Sequence, residues 1–320
     1  MYSYVPAMID VENLSKYFGE RAAIHALSFS IAKGEVVGFL GLNGAGKTTT
    51  LRILGCLLLP TSGSVRIDGL EVTSNAHEIR RKIGFLPDVP PLYPEMTVGA
   101  YLAFAARLRQ VPAKEAASRV IEAEEKTALR DVHNEVIREL SHGYRQRVGL
   151  AQAIVHKPAL LILDEPSAGL DPAQIVEMRS LLRGLHGEHT VLISSHFLTE
   201  ISQTCDRLLV IHNGELVGQG SESELASAMG QGSSMVEVEL RDPSAALVER
   251  LAQIPTVTKV NARPAVDTTV LEISATSDVR AAAARVVVGE GGDLLRLDRS
   301  ESRLESIFMN LTQNPTGGPQ

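Results

Sequence analysis

Cysteine is scarce in this chain of 320 residues: there are two, Cys56 and Cys205. They lie far apart, each in an apolar context, so both read as buried free thiols in a reducing compartment and no disulfide framework is available. Nor does any run approach the ~20 apolar residues that cross a bilayer. The longest candidate, "LRILGCLLLP", holds Arg52 and stops at Pro60. The opening residues, "MYSYVPAMIDVEN", show neither a basic segment nor an apolar core, so no signal peptide is expected. A basic excess is also missing. With 31 Lys and Arg against 38 Asp and Glu, the formal charge of −7 argues against a dedicated nucleic-acid binder. No long internal repeat is present. Such a chain is expected to remain inside the cell and to reach a membrane only through a partner.

What is present suits a folded protein. At 44% hydrophobic and 22% charged, the chain can build the core of one large or two moderate domains. Short alternating or apolar runs, "AMIDVENLSKYF" and "AIHALSFSIAKGEVVGFLG", read as strands. "PALLILDEP", "HTVLISSH" and "DRLLVIHNGELVGQG" follow as further strands, the last a pair turning at Asn213-Gly214. From "TVGAYLAFAARLR" through "KEAASRVIEAEEKTALRDV" the period becomes helical. The fold class expected is a parallel α/β core with an inserted helical subdomain at about 88–157.

Composition loosens at 227–234, a linker. Beyond it, 235–310 spells βαββαβ, an order that suits a small ferredoxin-like accessory domain. Residues 1–7 read as an N-terminal extension, 8–226 as the core domain and 311–320 as a disordered tail, with the short helix "SRLESIFMNLT" before it.

"GLNGAGKT", Gly41 to Thr48, matches G-x-x-x-x-G-K-[ST], and it follows a buried strand and opens a helix. Glycines allow backbone N–H groups to turn inward around phosphates, and the helix N-terminus adds positive potential. Lys47 would reach the β- and γ-phosphates and Thr48 would ligate Mg²⁺. Such a loop leaves ATPases, GTPases and kinases open. The strand "LLILDEP" narrows the choice: Asp164 at its end would hold Mg²⁺, and Glu165 could polarise an attacking water. A pair of carboxylates capping a strand would otherwise be unremarked, but the C-terminal edge of a parallel sheet is where ligands bind. N-K-x-D, the guanine-reading motif, is missing, so adenine is the expected base.

In order along the chain these residues resemble the ATP-binding cassette family, over Met8 to about Gly220. "LNGAGKTT" resembles its Walker A motif, "LLILDEP" its Walker B and "SAGLDP", with Asp171, its D-loop. His196 in "LISSH" resembles the switch histidine, and "LSHGYRQR" a loosened LSGGQ signature. The resemblance implies ATP held by Gly41, Leu42, Asn43, Gly44, Ala45, Gly46, Lys47, Thr48 and Thr49, with Phe18 stacked on adenine and Tyr17 as the alternative. It implies catalysis by Glu165 and His196, Mg²⁺ at Thr48, Asp164 and Asp88, and two cassettes paired head to tail. Ser141, His142, Gly143 and Tyr144 would then face ATP bound to the second chain. Ser141 also reads as a simple helix N-cap, and both roles can hold at once.

The sequence departs from the family pattern at two places. Asp88 stands where the family has the glutamine of its lid; it is one methylene shorter and, ionised, cannot donate a hydrogen bond. His142 and Tyr144 replace the usual glycine and glutamine of the signature. "LPDVPPLYPEMTVGAYLAFAARLR" and "RLESIFMNLT" most resemble the ATPases of two-component exporters of the gliding-motility and multidrug type. That implies a separate transmembrane permease, a place on the cytoplasmic face of the plasma membrane, and export driven by ATP. Leu92, Tyr93 and Met96 are the expected exposed contacts to that permease. The competing expectation is a soluble cassette ATPase acting on nucleic acid or the ribosome, but no second cassette or coiled-coil insertion accompanies this one. Arg145 and Arg147 are left as helix-surface charges.

Overall fold

The computed structural model describes residues 7–195, 201, 204–222, 224–225, 234–241, 243–265 and 268–299. It divides into two compact units, Met1–Gln219 and Gly220–Gln320. His196, the linker, the helix "SRLESIFMNLT" and the tail lie outside the described residues.

In the first unit, strands β1 (Ala7–Phe18), β2 (Arg21–Ala32), β4 (Ser62–Ile67) and β5 (Leu70–Glu71) form an antiparallel sheet in the order β2-β1-β4-β5. A second sheet has six strands in the order β10-β9-β3-β8-β7-β6. These are β3 (Val36–Leu40), β6 (Ile83–Leu86), β7 (Leu160–Asp164), β8 (Thr190–Ser195), β9 (Arg207–His212) and β10 (Glu215–Gly220). Every pair from β9 through β3, β8 and β7 to β6 is parallel.

Parallel strands are covered on both faces, and β3, β7 and β8 are buried at every position. Alternate residues feed two cores. Val36, Leu161, Leu163, Val191 and Ile193 pack with the helical layer, while Val37, Phe39, Leu160, Ile162 and Leu192 pack toward the antiparallel sheet. Helix α1 (Lys47–Leu54) lies in that second core through Leu51, Ile53 and Leu54. The segment 55–82, for which the sequence reading named no elements, supplies β4, β5 and helix α2 (Ala76–Lys82).

The helical layer is built by α3 (Val98–Leu108), α4 (Ala113–Lys126) and α5 (His142–Ile154). Thr97 caps α3 by accepting from the Ala100 amide at 3.3 Å. Glu124 on α4 is fully buried. It accepts from Arg130 at 2.8 Å and lies 2.5 Å from His133 Nδ1. Removing one partner of a charge-assisted network strands the rest. Glu124→Ala is expected to cost about 1.5–3 kcal/mol, the range for hydrogen bonds to charged groups. A lower urea midpoint at unchanged slope would register it.

Helix α6 (Pro172–Arg183) follows β7, with Asp171 as its cap and Pro172 at its first turn. The β9–β10 turn has Asn213 and Gly214 at φ 48° and 83°, both left-handed as a type I′ hairpin requires. Both thiols are half-buried and free, a correction to the expectation of full burial. Burial still pushes Cys56 to about 11 and Cys205 to about 12, so both stay protonated near neutrality.

The second unit contains β11 (Ser234–Arg241), helix α7 (Ala245–Ala252), β12 (Val257–Ala265), β13 (Thr268–Ala275), helix α8 (Arg280–Gly289) and β14 (Asp293–Arg299). Its antiparallel sheet runs β12-β13-β11-β14. Val236, Val238, Leu240, Leu271 and Ile273 bury one face with Leu247, Leu251, Ala283 and Val287 of the helices.

Candidate functional site

Register brings the site together. Leu40 pairs with Ser195, and Asp164 pairs with Ser194. The loop after β3, the carboxylates after β7 and the serines closing β8 therefore share one sheet edge. The loop 41–46 returns toward the strand it left and enters α1. Gly46 sits at φ 107°, and a Cβ there would stand 2.6 Å from the Ala23 carbonyl oxygen. No side chain fits, which leaves the backbone free to curl round an anion at the start of α1.

The result is a cleft of about 690 Å³, lined among others by Phe18, Leu42, Asn43, Gly44, Gly46, Lys47, Thr48, Thr49, Asp88 and Glu165. Gly41 and Ala45 complete the loop from behind, where a Cβ on Gly41 would lie 3.1 Å from that of Ala45. Phe18 is 53% exposed at the cleft wall, with the Lys16 ammonium 5.3 Å from its ring centroid. Tyr17 is not among the lining residues.

Lys47 is buried at the floor. Its ammonium donates to the Gly41 carbonyl at 2.7 Å and lies 3.3 Å from Glu165 Oε1. Thr48 Oγ1 donates to Asp164 Oδ1 at 3.4 Å. Ser194, which the sequence reading passed over, joins the Asp164 carboxylate to the Glu165 backbone. Its hydroxyl donates to Asp164 at 2.6 Å and accepts from the Glu165 amide at 3.0 Å. The available signal was the serine pair Ser194–Ser195 closing the apolar run Val191–Ile193, both of them buried. Glu165 occupies the left-handed region at φ 49°. That conformation costs a side-chain-bearing residue roughly 1–3 kcal/mol and persists where its surroundings over-determine it, often at functional sites.

Burial holds the Asp164 carboxyl above the usual carboxylate range, against the hydrogen bonds from Ser194 and Thr48; the charges of Glu165 and Asp88 add to the rise. Glu165 and Asp88 line the cleft beside Lys47 and Arg21, and Asp164 meets it through Thr48. No group of three or more His, Cys, Asp or Glu among the described residues could hold a metal by itself. Thr48 and Asp164 would therefore hold Mg²⁺ together with substrate oxygens and water, the arrangement usual for this ion. Asp88 lines the same cleft, and its carbonyl accepts from Gln146 of α5 at 3.2 Å.

Ser141, His142, Gly143 and Tyr144 do not line the cleft. Ser141 caps α5, its Oγ accepting from the Tyr144 amide at 3.4 Å. Tyr144 is half-buried, with the Arg147 guanidinium 5.1 Å from its ring centroid. Arg147 also pairs with Glu177, and Arg145 donates to the Leu140 carbonyl, so both arginines are engaged within the chain. Asp171 accepts from the Gln174 amide at 2.9 Å. Of the expected permease contacts only Tyr93 is exposed; Leu92 and Met96 are drawn partly into the helical core by their neighbours.

The model of the family described as ABC transporter matches residues 24–168, which include the P-loop, Asp164 and Glu165. Similarity extends over the whole chain to the bacitracin transport ATP-binding protein BcrA of Bacillus licheniformis. The two are 33% identical across 97% of this chain and 99% of the relative. The chain belongs to the ABC transporter family. It is an ATP-binding subunit of that family, and an ATPase. The linearmycin resistance ATP-binding protein LnrL of Bacillus subtilis (strain 168) is 32% identical across 95% of this chain and 98% of its own. Among solved structures, a dimeric ATP-binding cassette in a post-hydrolysis state with ADP and Pi aligns at a TM-score of 0.62. It is 28% identical, covering 67% of this chain and 98% of that one.

Proposed function

We propose that this ABC subunit pairs head to tail with a second cassette on binding ATP, and that the pair drives export through a separate transmembrane permease at the cytoplasmic face of the membrane. The observation that carries this reading is the split site. The P-loop, Glu165 and Asp88 line one cleft, with Asp164 bonded to its Thr48, while the signature Ser141–Tyr144 opens α5 and lines no part of that cleft. A helix N-terminus with its hydroxyl cap suits a phosphate, and a second chain would supply one.

Within the cleft, Lys47 would bind the β- and γ-phosphates, and turning toward them would release the Glu165 carboxylate it pairs with. Glu165 then accepts a proton from the water that attacks the γ-phosphorus, as the bond from that phosphorus to the β–γ bridging oxygen breaks and ADP leaves with phosphate as the other product. His196 would orient that water. Phe18 would stack on adenine, with such stacking worth ~1–3 kcal/mol per base in other sites. Mg²⁺ held by Thr48 and Asp164, with Asp88 accepting from its water, would neutralise phosphate charge.

No helix among the described residues is long and apolar enough to cross a membrane, which favours a separate permease. A second groove of about 430 Å³ suits its docking, lined by Arg80, Arg81 and Arg109 with Tyr93, Tyr101 and Phe104. Arg80 donates to the Cys56 carbonyl, Arg109 donates to the Arg80 carbonyl and Arg81 meets His77; no carboxylate is among these partners. An acidic permease segment would match them. Reversing two charges, R80E with R81E, is expected to cut recovery of the permease at least about tenfold, because like charges facing across an interface cost several kcal/mol. ATP binding should be unchanged. Co-purification with a multi-spanning membrane protein supports the reading; co-purification with ribosomes or DNA overturns it. Cargo choice would rest with the permease, since relatives of similar identity carry names attached to bacitracin, linearmycin and Nod factor. The second unit is proposed as a ferredoxin-like accessory domain.

A further inference from the structure

His142 gives the signature a side chain where the family has only a hydrogen, and that side chain is engaged within its own chain. Its Nε2 lies 3.0 Å from the Ala168 carbonyl oxygen, so this nitrogen carries a proton and donates. The Ala168 amide in turn donates to the Glu165 carbonyl at 3.0 Å. Ala168 and Glu165 line the same cleft. The contact is close-fitting: a Cβ on Gly169, at φ 71°, would stand 3.2 Å from His142 Nε2. Around it α5 meets α6 through Gly143 against the Gln174 carboxamide and Arg147 against Glu177. The His142 hydrogen bond reaches instead the loop between β7 and α6.

Elsewhere in that loop Pro166 and Ser167 are buried and Leu170 packs against the helical core. Leu170 N donates to the Ser167 carbonyl at 3.2 Å, and Ala168 N to Glu165. The loop continues directly from Glu165, whose left-handed backbone must be held by its surroundings. We infer that His142 is a positioning residue joining the two nucleotide sites that each chain touches. While Ser141 and Gly143 face the partner's nucleotide, the imidazole holds Ala168, and through it the Glu165 backbone, in the chain's own cleft. This rests on the paired-cassette reading above. It differs from a direct role for His142 on the partner's phosphate because the effect falls in a different cleft.

Mixed dimers purified through two tags separate the roles, with one chain silenced by E165Q. H142A on the chain that keeps Glu165 is expected to lower turnover about threefold to tenfold, the range for losing one hydrogen bond. H142Q there should restore most of it, since the glutamine amide can donate from nearly the same place. H142A on the silenced chain should cost less. Equal or greater loss from the silenced chain overturns the inference, as does failure of H142Q to restore. A second measurement does not need the dimer. Hydrogen exchange of residues 166–171 in the full-length chain should quicken severalfold in H142A and return to the wild-type rate in H142Q; unchanged exchange overturns the inference. If chains with His142 intact fail to dimerise with Mg-ATP, the paired reading falls on its own, and the exchange rates still decide whether His142 holds the loop.

Discussion

Glu165→Gln is expected to slow ATP turnover by about 10²–10⁴-fold, the usual worth of a positioned general base. The amide matches the carboxylate in shape, so the left-handed turn and the Glu165 amide bond to Ser194 survive. What is lost is the oxygen proposed to take the proton from water. Asp164 cannot replace it: burial, Ser194 and Thr48 fix its carboxyl against the sheet edge. Lys47 loses an ion-pair partner at 3.3 Å and keeps the Gly41 carbonyl, so ATP affinity should hold or rise. Steady-state turnover beside equilibrium binding of a fluorescent ATP analogue checks both halves. A fall in turnover matched by a fall in affinity would mean that Glu165 organises the cleft and does not act as the base.

Ser141→Arg in that slow background is expected to abolish the ATP-dependent dimer. The Ser141 hydroxyl caps α5 and stands at its positive end. An arginine there removes a cap worth about 1 kcal/mol and fills the space that a partner's phosphate would enter. Light scattering of the Glu165→Gln chain should show monomer becoming dimer on adding Mg-ATP, and the double variant should remain monomeric. Because Ser141 does not line the chain's own cleft, the double variant should still bind ATP. Loss of nucleotide binding in it would place Ser141 within the chain's own site and sink the head-to-tail arrangement. Ser141→Ala, which removes the hydroxyl alone, should weaken the dimer without abolishing it.

Much of this chemistry is legible in local sequence because it is carried by local geometry. A glycine-rich turn between an apolar strand and a helix can cradle an anion with consecutive amides, and Gly41–Gly46 form that turn between β3 and α1. The Asn213-Gly214 turn and the caps at Ser141 and Asp171 are likewise formed by neighbours in the chain. Contacts between distant segments were not legible. Ser194 meets Asp164 across 30 positions and His142 meets Ala168 across 26. Leu92 and Met96, in a stretch that reads as surface, are drawn inward by helices that only packing brings together.

By itself, then, the sequence determined the α/β class, the phosphate-binding loop and the strand that ends in Asp164-Glu165. In each of these, hydrophobic period and backbone freedom act over a few residues. Only the tertiary structure decided that Ser194 ties the Asp164 carboxylate to the Glu165 backbone, that Phe18 rather than Tyr17 lines the cleft, and that Ser141–Tyr144 stand outside it with His142 turned to the loop after Glu165. Those outcomes depend on strand register and helix packing. Both are settled by burying apolar faces over the whole unit, and no short window of residues carries that balance.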